Sequence, residues 1–436
     1  MHGPATPEAE VPTPEPTAQP RRVPSPLKNR QYRWLLGSNV TFFLALHGQS
    51  VVRSWLAFEL TGSKLALGQI AAAVAVPMLL MAPFGGVIAD RMERRRLILV
   101  AQGALLASES TMLALLVTDR LRFWHLLCAT VLMGLLFPIS MPARQAIAVK
   151  VVGREALTAA MAISMGAISA TRVLGPLVSG LLIDSLGVQG AYALGVGLYT
   201  VAMFTLLGVP RDRAPALSGP RPPLLHEMAE GFRFLLGHRL LRVLMLFGLV
   251  PMFLAMPTQQ LMVVFAQEVW NVGSAGFGVL QGISGAGGVV GAVVVAGMQR
   301  KASARLRVMM VSGLGFALLL GLFALSPYFW PAVALALVGY TMSAIYSTLN
   351  GSAIQLLVPD AVRGRVSSFM MMSVSLPLLG ALPVGALADQ VGAPAAVASA
   401  CGLGAVAVVL FWITSPTLRG LDKAVADSEA ILRQDP

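Results

Sequence analysis

The chain has 436 residues, of which 56% are hydrophobic and only 12% charged, about half the charged share of soluble domains. With a mean hydropathy of +0.74, it carries more apolar side chain than one soluble core can hide. This excludes a soluble multi-domain enzyme and, except locally, a disordered chain. The formal charge of +12 admits a nucleic-acid partner or basic loops on one membrane face, and the placement of the charges decides between them.

Residues 1–26 are rich in Pro, Glu, Thr and Ala. They cannot bury enough surface to fold and read as a disordered cytoplasmic tail. No apolar signal-peptide core is present there, so the first apolar run is expected to act as an uncleaved anchor. Apolar runs follow at about 34–59, 66–88, 97–118, 123–142, 157–183 and 189–208, and again at about 241–266, 275–297, 307–326, 329–350, 365–388 and 395–414. Each is long enough to cross about 30 Å of hydrocarbon as a helix. Between the two sets lies a proline-rich stretch, then "LLHEMAEGFRFLLGHRLLR", an amphipathic helix suited to the membrane surface. The expected fold is therefore an all-α membrane protein of twelve transmembrane helices in two pseudo-symmetric six-helix bundles. Its expected parts are the tail 1–26, a bundle 27–208, a cytoplasmic loop 209–240, a bundle 241–414 and a cytoplasmic tail 415–436.

Loop charge orients the spans. With both termini in the cytoplasm, 27 of the 32 Lys and Arg residues fall in inner segments, including the run Arg91, Arg94, Arg95, Arg96 and the group Arg144, Lys150, Arg154. Only Lys64, Arg120 and Arg122 fall outside, and Arg53 and Arg172 lie within spans. Charge spread over short loops on one face removes the nucleic-acid reading. Cys128 and Cys401 both sit in apolar runs and make no disulfide framework. The five His are scattered without metal spacing.

An internal repeat links the fifth and eleventh runs. At an offset of 205 residues, Gly175, Gly180, Asp184 and Gly187 fall on Gly380, Gly385, Asp389 and Gly392. Gly86 to Asp90 carry a third copy of its core at the end of the second run. Parallel six-span repeats are one known transporter plan, although small-residue helix packing alone also makes Gly common. Gly278, Gly282, Gly287 and Gly291 form two small-xxx-small pairs in the eighth run, suited to close helix packing. No strand precedes that stretch and no GK[ST] follows it, so it is no nucleotide loop. HExxH and GxSxG are also absent. No enzyme, cofactor or metal is expected.

The loop after the second run, "GGVIADRMERRRLIL", places Asp90 at a helix end beside several Arg. A carboxylate there can accept from a neighbouring helix N-terminus and pair with Arg, forming a breakable latch; an ordinary basic inner loop is the alternative. This segment resembles the signature loop of the major facilitator superfamily, G-x-x-x-D-R-x-G-R-[RK]. Gly86, Asp90, Arg91, Arg94 and Arg95 match, and Glu93 replaces the second Gly. Glu93, "VVGREAL", "EGFRFLL" and "LVPDAVRGRVSS" resemble the enterobactin-exporter-like branch of drug and siderophore efflux proteins. "TRVLGPLVSG" resembles the fifth-span Gly-Pro motif of facilitator exporters through Gly175, Pro176 and Gly180, with Ser179 in place of a Gly. In those exporters the motif is thought to bias the outer gate; a simple packing kink is the alternative.

The resemblance implies a secondary active exporter in a bacterial inner membrane, working as a monomer by alternating access. It would move an amphipathic small molecule against protons. A flippase of the same fold for lysophospholipid or a lipid-linked substrate is the alternative. Ionisable groups inside spans are costly and mark function. Glu109 is accordingly the first candidate for proton coupling, with Arg172 and Arg53 as partners; a static buried pair is the other reading. In this fold spans 1, 4, 7 and 10 usually line the cavity. They offer Asn39, His47 and Gln49; Met133 and Phe137; Met256, Gln259 and Gln260; and Tyr340, Tyr346 and Asn350. Amide, aromatic and Met side chains suit a bulky amphipath, although each Met can equally be packing and His47 equally structural.

Overall fold

A computed structural model describes residues 25–211, 236–298, 305–358 and 375–422, with Arg233 and Val425. The N-terminal tail and most of the central loop, including residues 224–232 of the expected amphipathic helix, lie outside the described residues; the last residues of that segment, from Arg239, begin span 7. Among the described residues, ten helical stretches are long and apolar enough to cross a membrane. One of them, Ala156–Leu207, has 52 residues and breaks at Gly187, so it holds two crossings; Ser375–Val391 adds a shorter one. Twelve spans are thus consistent with the helices seen. In order they are Arg30–Thr61, Lys64–Arg91, Arg94–Val117, then 123–152, 154–186 and 188–207, then Arg239–Val269, Gly273–Met298, Arg305–Leu325, Phe329–Leu357, Ser375–Val391 and Ala393–Thr414.

Local chemistry sets the ends. The Asn29 side chain accepts from the Gln31 and Tyr32 amides and so caps the first span, which stops at Gly62 in the left-handed region (φ 63°). Gly153 (φ 72°) and Gly187 (φ 72°) turn the chain between spans 4, 5 and 6 with no intervening loop, a backbone conformation that a Cβ would strain. Gly392 (φ 86°) does the same between spans 11 and 12. Gly187 and Gly392 are repeat mates at the offset of 205, so the repeat preserves a turn as well as a sequence.

The fourth span is longer than its hydropathy suggests. The segment 143–152, expected as an inner loop, is helical, because "ARQAIAVKVV" contains no breaker before Gly153. Arg144 is consequently inside a helix and 3% exposed. The segment after Thr414 is also built into the fold. Ser415 caps a short helix, Pro416–Arg419; Leu418, Leu421 and Val425 are buried; and Asp422 accepts from the Leu306 amide (2.9 Å) at the start of the ninth span.

The first turn, at Gly62, marks one membrane face, and Arg30 and Thr414 mark the other, called here the terminal face. Exposed aromatic side chains ring both: Trp124, Tyr328 and Trp330 towards the Gly62 face, Trp34 and Trp412 towards the terminal face. That is where amphipathic rings settle at a bilayer interface.

The core is distributed unevenly between these faces. Towards the Gly62 face one continuous cluster joins the two halves, from Val51 and Leu67 through Phe265 and Phe277 to Val384 and Cys401. Towards the terminal face it divides. Leu35, Ile98 and Leu206, with Phe42 and Tyr199, belong to the first six spans. Leu244, Phe247, Met309, Tyr346 and Leu418 belong to the last six and the segment beyond.

Candidate functional site

The gap between the divided clusters is a cavity of about 620 Å³ reaching from mid-membrane towards the terminal face. Spans 1 and 5 present His47, Ser50, Arg172 and Pro176 to it. Span 7 adds Met245, Met252, Met256 and Gln259, the last two beside a helix break at Pro257. Span 8 adds Gln281 and Ser284, and span 10 adds Tyr340, Ser343, Ser347 and Asn350. The amides form a fixed network: Gln259 Nε2 donates to Gln281 Oε1 (3.1 Å) and Ser284 Oγ (3.1 Å), while Gln281 Nε2 donates to the Gln259 carbonyl (3.2 Å).

Of the candidate cavity residues, His47, Met256, Gln259, Tyr340 and Asn350 border this cavity. The other six cavity candidates do not, for separate reasons. Asn39 accepts from Arg144 Nη1 (2.6 Å). Gln49 is buried and reaches the Tyr192 carbonyl (3.5 Å). Met133 lies against Arg53, its sulfur 3.1 Å from Nη1. Phe137 packs on the Phe42–Phe43 cluster. Tyr346 donates to the Phe247 carbonyl. Gln260 follows Gln259 by one residue and so turns about 100° away from it.

Of the three candidate coupling residues, two meet. Arg53 and Glu109 form an ion pair in which both are buried. Arg172 is elsewhere: it faces the cavity and makes no ion pair with a described residue. The pair is incompletely satisfied, since Arg53 Nε and Glu109 Oε2 have no hydrogen-bond partner among the described residues. Arg144 is a further intramembrane charge, one that loop counting alone misses. Its guanidinium sits 4.0 Å above the Phe42 ring, and no carboxylate pairs with it among the described residues. The absence of a helix breaker between Pro142 and Gly153 is the signal for it in the sequence.

The Gly62 face is closed by contacts between the first six and last six spans. The span-five motif divides its work: Gly175 packs against span 1, where an added Cβ would lie 3.0 Å from the Leu44 carbonyl, and Gly180 faces span 8, 2.5 Å from the Ser274 carbonyl. The helix keeps helical dihedrals at Pro176, whose carbonyl lies 2.7 Å from a Cβ placed on Gly278. Gly278 and Gly282 both face span 5, whereas Gly287 and Gly291 face span 10, so the two small-residue pairs serve two different interfaces. Gly68 and Gly385 bring spans 2 and 11 together in the same manner. Trp55 and Phe277 stack above the cavity (6.4 Å between centroids).

A candidate latch lies on this face. Asp389, at the end of span 11, accepts from Ser63 Oγ (2.8 Å) and from the Lys64 (2.7 Å) and Leu65 (3.1 Å) amides. It satisfies first-turn amides of span 2 that have no partner within the helix. Lys64 Nζ also pairs with Glu268 (3.1 Å), a partly exposed contact of small energy. The repeat mate Asp184 is exposed. On the opposite face, the surroundings of Gly86 and the side chains of Asp90 and Arg91 lie outside the described residues; Arg95 donates to the Leu207 carbonyl (2.8 Å). Asp389→Asn is expected to weaken closure by about 1 kcal/mol, read as a lower yield of the zero-length carbodiimide cross-link between Lys64 and Glu268 in membranes. An unchanged yield would count against the latch.

A twelve-span helical bundle with a central cavity of mixed polar and apolar lining, closed at one face, is the architecture of a major facilitator transporter. The sequence comparisons make this specific: a family model described as transmembrane secretion effector matches residues 23–433. The chain belongs to this family, a branch of the major facilitator superfamily, and is a multi-pass membrane transporter, not an enzyme. It is similar to the enterobactin exporter EntS of Escherichia coli, with 30% identity over 384 residues covering 85% of each chain. Its fold is similar to the crystal structure of the nucleoside transporter NupG, with a TM-score of 0.74, 13% identity and coverage of 88% of this chain and 98% of that one. A bacterial homologue of the human lysosomal transporter Spinster, captured inward-facing and unoccupied, gives 0.66 at 14% identity over 92% and 98%.

Proposed function

We propose that this protein exports an amphipathic small molecule from bacterial cytoplasm across the inner membrane by alternating access, in exchange for protons. The carrying observation is the uneven core, continuous at the Gly62 face and divided around the cavity at the terminal face. Two groups of helices meeting on one side only form one endpoint of a rocking motion. With the termini in the cytoplasm, the arrangement supported by the basic loops, this endpoint is inward-facing. The similarity to an enterobactin exporter favours export of a siderophore-like or drug-like compound. The mixture of Met side chains and amides on the wall suits an amphipath.

Arg53 and Glu109 are the proposed coupling pair. The carboxylate is buried against one cation only, with one oxygen unpartnered among the described residues. Ser50, one turn before Arg53 on the same helix, borders the cavity. A shift of span 1 against span 3 would change their spacing and thereby the proton affinity of the carboxylate; a ligand can drive that shift only by binding one conformer better. Reconstituted in liposomes with a pH-sensitive dye inside, the full chain is expected to show proton movement on addition of a transported compound. Substrate flux indifferent to the proton gradient would remove the antiport reading.

A further inference from the structure

Resting on the transport reading of the cavity, we infer that the cavity takes an organic anion. Its acidic group would rest on Arg172 and its apolar body against Met245, Met252 and Met256. Arg172 is the only side chain with a fixed charge among the described lining residues, and no described carboxylate lines the cavity with it. A guanidinium facing a cavity without a counter-ion favours a ligand that brings one, and its planar fork matches a carboxylate or another acidic oxygen pair. The same cavity repels a cation.

The position of Arg172 is fixed by the fold. Its backbone lies in the tight contact between spans 5 and 8, where a Cβ on Gly285 would stand 2.7 Å from the Arg172 carbonyl and 3.1 Å from its Cβ. An anion held there sits at the seam between the first six and last six spans, where a ligand can distinguish two arrangements of the halves.

The test uses three probes of one shape: naphthalene-1-carboxylate, the uncharged naphthalene-1-carboxamide and the cation naphthalene-1-methylammonium. Binding to the full chain in zwitterionic nanodiscs would be measured by equilibrium dialysis, with empty nanodiscs subtracted. The carboxylate is expected to bind at least about tenfold tighter than the carboxamide, the scale of a charge-assisted hydrogen bond, with the cation weakest. Arg172→Gln should abolish that preference while carboxamide binding persists, which shows that the variant is folded; Arg172→Lys should retain part of it. Equal affinity for acid and amide, preference for the cation, no binding of the carboxylate at all, or an unchanged preference in Arg172→Gln would each overturn the inference. Transport of a neutral or cationic compound in liposomes would then leave the export reading standing, so the two fail separately.

Discussion

Glu109→Gln lowers the stability of the protein in nanodiscs by about 3–5 kcal/mol, the usual result of removing one partner from a buried ion pair. The cost arises because Arg53, 3% exposed, keeps its charge with no compensating carboxylate. The measurement is the midpoint of thermal unfolding. The double variant Arg53→Met with Glu109→Leu removes both charges and replaces them with apolar side chains, so it is expected to recover most of the stability. The double variant also separates the two roles open to the pair. A static tie between spans 1 and 3 predicts that proton-coupled flux returns together with stability. A coupling pair predicts a stable protein whose substrate flux no longer moves protons. Full coupling in the double variant would sink the assignment of Glu109.

Gly278→Leu is expected to be similarly severe, but in conformation rather than stability. Its Cβ would fall 2.7 Å from the Pro176 carbonyl and 3.0 Å from the Gly180 Cα. Those atoms are backbone, so nothing flexible can move aside. Overpacking of this kind costs about 1–3 kcal/mol, which shifts a two-state equilibrium roughly 5- to 150-fold. The expected outcome is loss of the Lys64–Glu268 carbodiimide cross-link while the protein stays folded. Gly288→Leu is the control, because a Cβ there meets no atom within 4 Å. A retained cross-link in Gly278→Leu would mean that spans 5 and 8 can part without opening the Gly62 face.

The fold is legible in the sequence because membrane solvation leaves it few choices: a span must be long, apolar and helical. Boundaries are less legible. The basic residues after Pro142 look like a loop, and only the lack of a helix breaker before Gly153 betrays the extra turns that bury Arg144. The repeat locates Gly180, Gly385 and Asp389 as a set. It does not say that Asp389 caps span 2 while Asp184 stays exposed, since that depends on which helix end the opposite half delivers.

The cavity is partly legible. Tyr340, Ser343, Ser347 and Asn350 follow a helical stripe through an otherwise apolar span, a pattern visible in the order of the residues themselves. Span identity alone does not distinguish Asn39, Gln49 and Tyr346 from true lining residues, because each finds its partner on another helix of its own half. The pairing of Glu109 is open for the same reason: Arg53 and Arg172 are equally charged, and only the packing of spans 1, 3 and 5 decides between them.

The glycine seam between spans 5 and 8 also bears on speed. Contacts made by side chains must freeze rotamers to form and release them to break, at up to about 2 kcal/mol for a long side chain. Gly180, Gly278, Gly282 and Gly285 have no rotamers, and what they meet is largely carbonyl and Cα atoms. Such a surface behaves like a dry bearing. It holds through many weak dispersion contacts that lipid tails or the other conformer can replace. A joint of this type can be tight when shut and still open without a large entropic barrier.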